Sequence, residues 1–155
     1  MDANFFKPVS GEGARFAIVV SRFNETVTEG LREAAQKVLT NAGVRVSDIV
    51  KVNVPGVLEI PYVVSELSQK AFDGIIVLGA VIEGSTPHFD YISRAVTESC
   101  VNLSVTTKTP ISQGIVTCHT MEQALERSGD GPLNRGREAA LVALEMFQLK
   151  REKFL

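Results

Sequence analysis

The 155-residue sequence has no tryptophan, only two cysteines and two histidines, and little excess charge of either sign. Each scarcity excludes something. Cys100 and Cys118 lack a CxxC or other metal-ligand spacing, so they are expected as buried or half-buried thiols. His88 and His119 are too few and too far apart for a metal cluster. A net charge of -2 gives no general electrostatic reason to expect nucleic acid. No apolar run reaches the roughly 20 residues of a membrane span, so no membrane association is expected. Residues 1–13 lack the basic start and apolar block of a secretory signal, which predicts a cytoplasmic protein.

What the sequence does have is alternation. Apolar, β-branched strand patterns at 15–21, 46–54, 74–81 and 111–117 are separated by helical spacing at 25–42, 59–72, 87 to about 105, 120–128 and 133–149. With 45% hydrophobic and 22% charged residues, one domain spanning 1–155, with an N-terminal arm over 1–13, is expected. Its fold class would be a three-layer α/β/α sandwich around a four-stranded parallel sheet, flavodoxin-like, with right-handed crossovers. Ligands of such sheets bind beyond the carboxyl ends of the strands. Residues with chemistry to offer fall there, at 21–24, 55–59, 80–88 and 113–114.

The stretch Gly79-Ala80-Val81-Ile82-Glu83-Gly84-Ser85-Thr86-Pro87-His88 is the most informative. A strand passing through a Gly/Ser/Thr turn into a helix start offers free backbone N–H groups to a phosphate. The same groups could be capped by Ser85 or Thr86, so an ordinary helix cap stays open. His88, beside that turn, is of a type that titrates near neutrality and suits proton transfer. Phe23 lies in a polar turn, where its ring either stacks on a planar heterocycle or packs on the next helix. Glu59 opens a helix, where a carboxylate suits the macrodipole or accepts from ligand hydroxyls. Arg127 and Arg135 flank the break Gly129-Asp130-Gly131-Pro132. They are either solvated charges, or they reach a pocket because the chain folds back or a neighbouring subunit contributes. His119 is expected only as a cap or surface residue.

Six segments taken together resemble one family. They are Ser21-Arg22-Phe23-Asn24, Val54 to Pro61, Gly79 to Tyr91, Gly114-Ile115-Val116-Thr117, Glu122-Gln123-Ala124 with Arg127, and Asn134 with Gly136 and Glu138-Ala139-Ala140. In order and spacing the set, covering about 15–150, is similar to 6,7-dimethyl-8-ribityllumazine synthases. The resemblance implies condensation of 5-amino-6-(D-ribitylamino)uracil with 3,4-dihydroxy-2-butanone 4-phosphate, the penultimate step of riboflavin biosynthesis, with no metal or organic cofactor. It implies pentamers with active sites between adjacent subunits, in many members built into a 60-subunit shell, and association with riboflavin synthase. By position, Phe23 would stack on the pyrimidinedione. Val57, Leu58 and Glu59 would line the ribityl chain. Ala80, Val81 and Ile82 would wall the pyrimidine, with Gln113 and Arg135 also contacting substrate. Ser85, Thr86 and Arg127 would hold the phosphate, and His88 would move protons.

Three positions depart from the family pattern. Glu83 stands where a basic residue is common and is expected to point to solvent. Gln113 replaces phenylalanine or asparagine, and Arg135 replaces lysine, which keeps charge but alters geometry. Two rivals stay open: an archaeal-type riboflavin synthase of similar fold, and a non-catalytic flavin-binding or shell paralogue.

Overall fold

The computed structural model describes residues 5–84 and 88–152. Four strands, β1 (Phe16–Ser21), β2 (Ile49–Val54), β3 (Gly74–Ile82) and β4 (Ile111–Cys118), form one parallel sheet in the order β2-β1-β3-β4. The helices are α1 (Glu25–Asn41), α2 (Ile60–Leu67), α3 (His88–Thr107), α4 (Met121–Glu126) and α5 (Arg135–Arg151). The three-layer α/β/α expectation is met.

The alternation of strand side chains decides which helices cover which face. Phe16, Ile18, Val20, Ile76, Leu78 and Ala80 pack with α1 and α5, around Leu31, Leu39, Ala140 and Leu144. Ala17, Val19, Ile75, Val77 and Val81 pack with α2 and α3, around Ile60, Val64, Val96 and Cys100. β1 is buried along its whole length, as a strand sandwiched between two helical layers must be. Burial of each large aliphatic side chain here contributes about 1.5–3 kcal/mol.

Two details differ from the sequence-based boundaries. Val46–Asp48 is a 3-10 turn, and β2 begins at Ile49. The Arg45 Nε donates to Asp48 Oδ2 at 2.6 Å, and the Asp48 amide to the Arg45 carbonyl at 2.9 Å, which curls a β-branched stretch into a turn. The second helix stops at Leu67 rather than Phe72. Lys70 and Phe72 amides instead donate to the carbonyls of Leu67 and Lys70, turning the chain toward β3.

Gly136 sets the spacing of α1 and α5: a Cβ there would collide with the backbone carbonyl of Leu31. The arm preceding β1 lies on the α1/α5 layer. The Gly11 amide donates to the Ala42 carbonyl at 2.7 Å and the Lys7 amide to Glu145 Oε1 at 2.7 Å. No helix among the described residues is long and apolar enough to cross a membrane.

Candidate active site

The carboxyl ends of β1, β2 and β3 open onto a cavity of about 310 Å³ lined by Phe23, Asn24, residues 56–59, residues 80–82, Gly84, His88, Phe89 and Ile92. Three turns build it. After β1 the ladder is extended by Arg22 and Phe23, whose amides donate to the carbonyls of Val54 (2.8 Å) and Pro55 (3.2 Å). Asn24 then adopts a left-handed conformation (φ 60°, ψ 51°), which Asn tolerates better than most residues, and its Nδ2 donates to the Ala80 carbonyl at 3.2 Å. This lock leaves Phe23 projecting outward with 71% of its surface exposed. Packing against the following helix is thereby excluded as the reason for the ring.

After β2, Gly56 is followed by a 3-10 turn, Val57–Glu59, leading into α2. Glu59 Oε2 accepts from the Gly56 amide at 2.8 Å, so one carboxylate oxygen holds the turn. Leu58 is half exposed at the cavity wall while Val57 is buried beneath it. Gly79 is required below: a Cβ there would lie 2.5 Å from Val57 Cγ1 and 3.0 Å from Ser21 Oγ, pushing the 57–59 turn outward. Ala80 and Val81 are buried at the floor, and Ile82 is half buried at the mouth. His88, the first residue of α3, is exposed on the same cavity. Ser85 and Thr86, the phosphate candidates, lie outside the described residues together with Pro87.

A second cavity, about 590 Å³, runs along the outer side of β4. It is lined by Gln113, residues 115–119, Gln123, Glu126, Arg127, Arg135, Glu138, Ala139 and Val142. Asn134 fixes the turn that leads into α5. Its Oδ1 accepts from the Arg137 amide (3.0 Å) as the cap of α5, and its Nδ2 donates to the carbonyls of Ser128 (2.7 Å) and Gly129 (2.9 Å). The Arg135 amide donates to the Arg127 carbonyl at 2.8 Å, which fixes the two arginines relative to one another. Arg135 is ion-paired with Glu138, so part of its charge is already matched. Gln113 Nε2 is 3.5 Å from the Thr97 carbonyl on α3. Burial raises the Cys118 thiol above its ordinary value, partly offset by the Thr120 backbone, whose carbonyl lies 3.3 Å from Sγ.

The structure therefore gathers Phe23, Val57, Leu58, Glu59, Ala80, Val81, Ile82 and His88 on one cavity, and Gln113, Arg127 and Arg135 on another. Between them stands a pair the sequence did not disclose: His119 Nδ1 lies 2.5 Å from Glu83 Oε2. Glu83 is half exposed, so the expected turn toward solvent is combined with a specific partner.

Comparison with known proteins bears on what these cavities serve. Residues 13–151 match the family model of 6,7-dimethyl-8-ribityllumazine synthase. The chain belongs to this family. A 6,7-dimethyl-8-ribityllumazine synthase of Aquifex aeolicus (strain VF5) is 45% identical over 142 residues, covering 91% of this chain and 92% of that protein. One from Syntrophus aciditrophicus (strain SB) is 42% identical over the same coverage. The lumazine synthase match includes all the turns that line both cavities.

Proposed function

We propose that this chain condenses 5-amino-6-(D-ribitylamino)uracil with 3,4-dihydroxy-2-butanone 4-phosphate to form 6,7-dimethyl-8-ribityllumazine, phosphate and water. The observation that carries the proposal is a family match over 13–151 in a chain whose Phe23, Glu59 and His88 line one cavity. Family membership leaves no support for either rival reading.

The residues divide the chemistry between them. Phe23 offers an exposed aromatic face for the pyrimidinedione, with Val81 and Ile82 as apolar walls. Glu59, with one oxygen committed to the Gly56 amide, offers the other to ribityl hydroxyls. Ser85, Thr86 and Arg127 are assigned the phosphate, Arg127 through charge-assisted hydrogen bonds. Gln113 and Arg135 approach the substrate from the β4 side. The amine of the pyrimidine attacks the ketone and loses water to give an imine. Phosphate is eliminated, and a second attack closes the ring with loss of another water. Each step moves protons, and His88, exposed on the cavity, is assigned that role. Alignment of two substrates in one cavity supplies much of the remaining acceleration.

Because Arg127 and Phe23 line different cavities of one chain, the complete site is assigned to the junction of two subunits. Pentamers are the assembly proposed, with a 60-subunit shell favoured over a free pentamer. The exposed aromatics Tyr62 and Tyr91, above 70% accessible in the single chain, support burial against other copies. Sedimentation mass distinguishes these states. For the reaction itself, mixing protein with both substrates must yield lumazine with one phosphate released per product. Absence of lumazine, or riboflavin formed from lumazine alone, would overturn the assignment.

A further inference from the structure

Glu83 is the family departure nearest the phosphate turn, and His119 is the histidine left without a role. They are 36 residues apart in the chain, yet His119 Nδ1 is 2.5 Å from Glu83 Oε2. With Nδ1 as the donor, the ring hydrogen-bonds the carboxylate directly. The imidazole also lies against Phe89, with ring centroids 5.9 Å apart and planes at 34°. Its own backbone is held in turn. The His119 amide donates to Gln123 Oε1 at 2.9 Å, and the Gln123 amide to Thr120 Oγ1 at 3.3 Å, the cap of α4. One ring, anchored at the start of α4, thus touches the chain just before and just after residues 84–88.

Stability does not explain the pair. Its members are 68% and 48% exposed, where an ion pair adds little. Charge does explain it. Glu83 precedes Ser85 by two residues, and a phosphate monoester carries close to two negative charges. A carboxylate free to swing toward that ester would repel it. We propose that His119 is a positioning residue for phosphate binding: it holds the Glu83 carboxylate at the β4 side and so keeps an anion away from the substrate phosphate. The proposal rests on assigning the phosphate to Ser85, Thr86 and Arg127.

The test measures Michaelis constants for both substrates in the assembled enzyme and in His119→Ala, Glu83→Gln and the double variant. His119→Ala is expected to raise KM for the butanone phosphate about five-fold, the size of one extra screened charge repulsion. The pyrimidine KM and kcat should stay within about two-fold, as should every constant of Glu83→Gln. The double variant should return the butanone phosphate KM to the wild-type range, because no carboxylate remains to be held. An unchanged KM in His119→Ala, or a double variant as impaired as His119→Ala, would overturn the proposal, since a purely packing role predicts no rescue. An Arg127→Ala variant run alongside isolates the premise. If its butanone phosphate KM matches wild type, the phosphate assignment fails rather than the role of His119 alone.

Discussion

The cavity around Phe23 is built from turns at the carboxyl ends of three strands and walled mainly by aliphatic side chains. The groove beside β4 is built from an open sheet edge and two helix starts, and it carries the arginines and glutamines. The first can hold a flat heterocycle and its hydroxylated tail but is not lined by Arg127. The second offers cations but is not lined by Phe23. Neither suffices for a reaction that must hold an aromatic amine and a phosphate ester together. The contrast is what motivates the proposed assembly: one copy of this chain carries the two halves on separate cavities, and the proposed junction would join one of each kind in a head-to-tail arrangement.

The most demanding way to break that comparison is to damage the two halves on different chains. Arg127→Ala should lower kcat/KM for the butanone phosphate about 10³-fold, the loss of a bidentate charge-assisted contact. Phe23→Ala should raise the pyrimidine KM about 30-fold by loss of ring stacking, with stability unchanged because the ring is exposed. If the halves meet between subunits, co-refolding equal amounts of the two variants restores about a quarter of wild-type activity, since a quarter of junctions then pair two intact halves. Mixed oligomers no better than their parents would show that each chain works alone.

His88 sharpens the comparison within the apolar half. His88→Ala should reduce kcat about 10²-fold while leaving both Michaelis constants near wild type, because positioning by the rest of the cavity survives. Complete loss of turnover with folding and binding intact would make the histidine indispensable rather than facilitating.

How much of this was legible beforehand follows from the range of the forces involved. β1 and β3 are continuous apolar runs because both faces are covered, and their limits were readable to a residue. The start of β2 was not: Val46 is β-branched, but the Arg45–Asp48 contact curls the chain there. Phe23 was legible because an aromatic in a polar turn has no core to serve. That the ring stays exposed rather than packing on the next helix needed the left-handed Asn24 and its bond to Ala80. Glu59 was read as either a helix-start charge or a ligand acceptor, and its bond to Gly56 shows the first without removing the second. The Glu83–His119 pair had no sequence signal at all. It arises because the ends of β3 and β4 are neighbours, with the Glu83 amide donating to the Cys118 carbonyl at 3.0 Å, a register only the folded sheet supplies. Asn134 and Glu138 were visible as part of the family pattern, but their contacts, the cap of α5 and the pairing with Arg135, became readable only in the folded chain.

The smallest effect concerns the two thiols, one in each region. Cys100 on α3 is fully buried beneath the apolar half, and burial pushes its thiol up to about 11 from an ordinary 9.0. Cys118 lines the polar groove and is raised less decisively, its burial being opposed by the Thr120 backbone. The thiolate is the reactive species, so iodoacetamide at pH 8 should modify Cys118 first and leave Cys100 intact until the protein unfolds. The same shift has a consequence for stability. A folded-state value above the unfolded one means that the unfolded chain loses its proton first as pH rises. The contribution of the neutral Cys100 thiol is therefore fully present below about pH 9 and is lost progressively as pH climbs toward 11. Denaturant midpoints measured across that window should fall less steeply in Cys100→Ala than in wild type, whatever the offset between them at neutral pH. Parallel pH profiles would mean that the buried thiol titrates much as it does in the unfolded chain, and that the α3 face beneath the apolar cavity is wetter than its packing indicates.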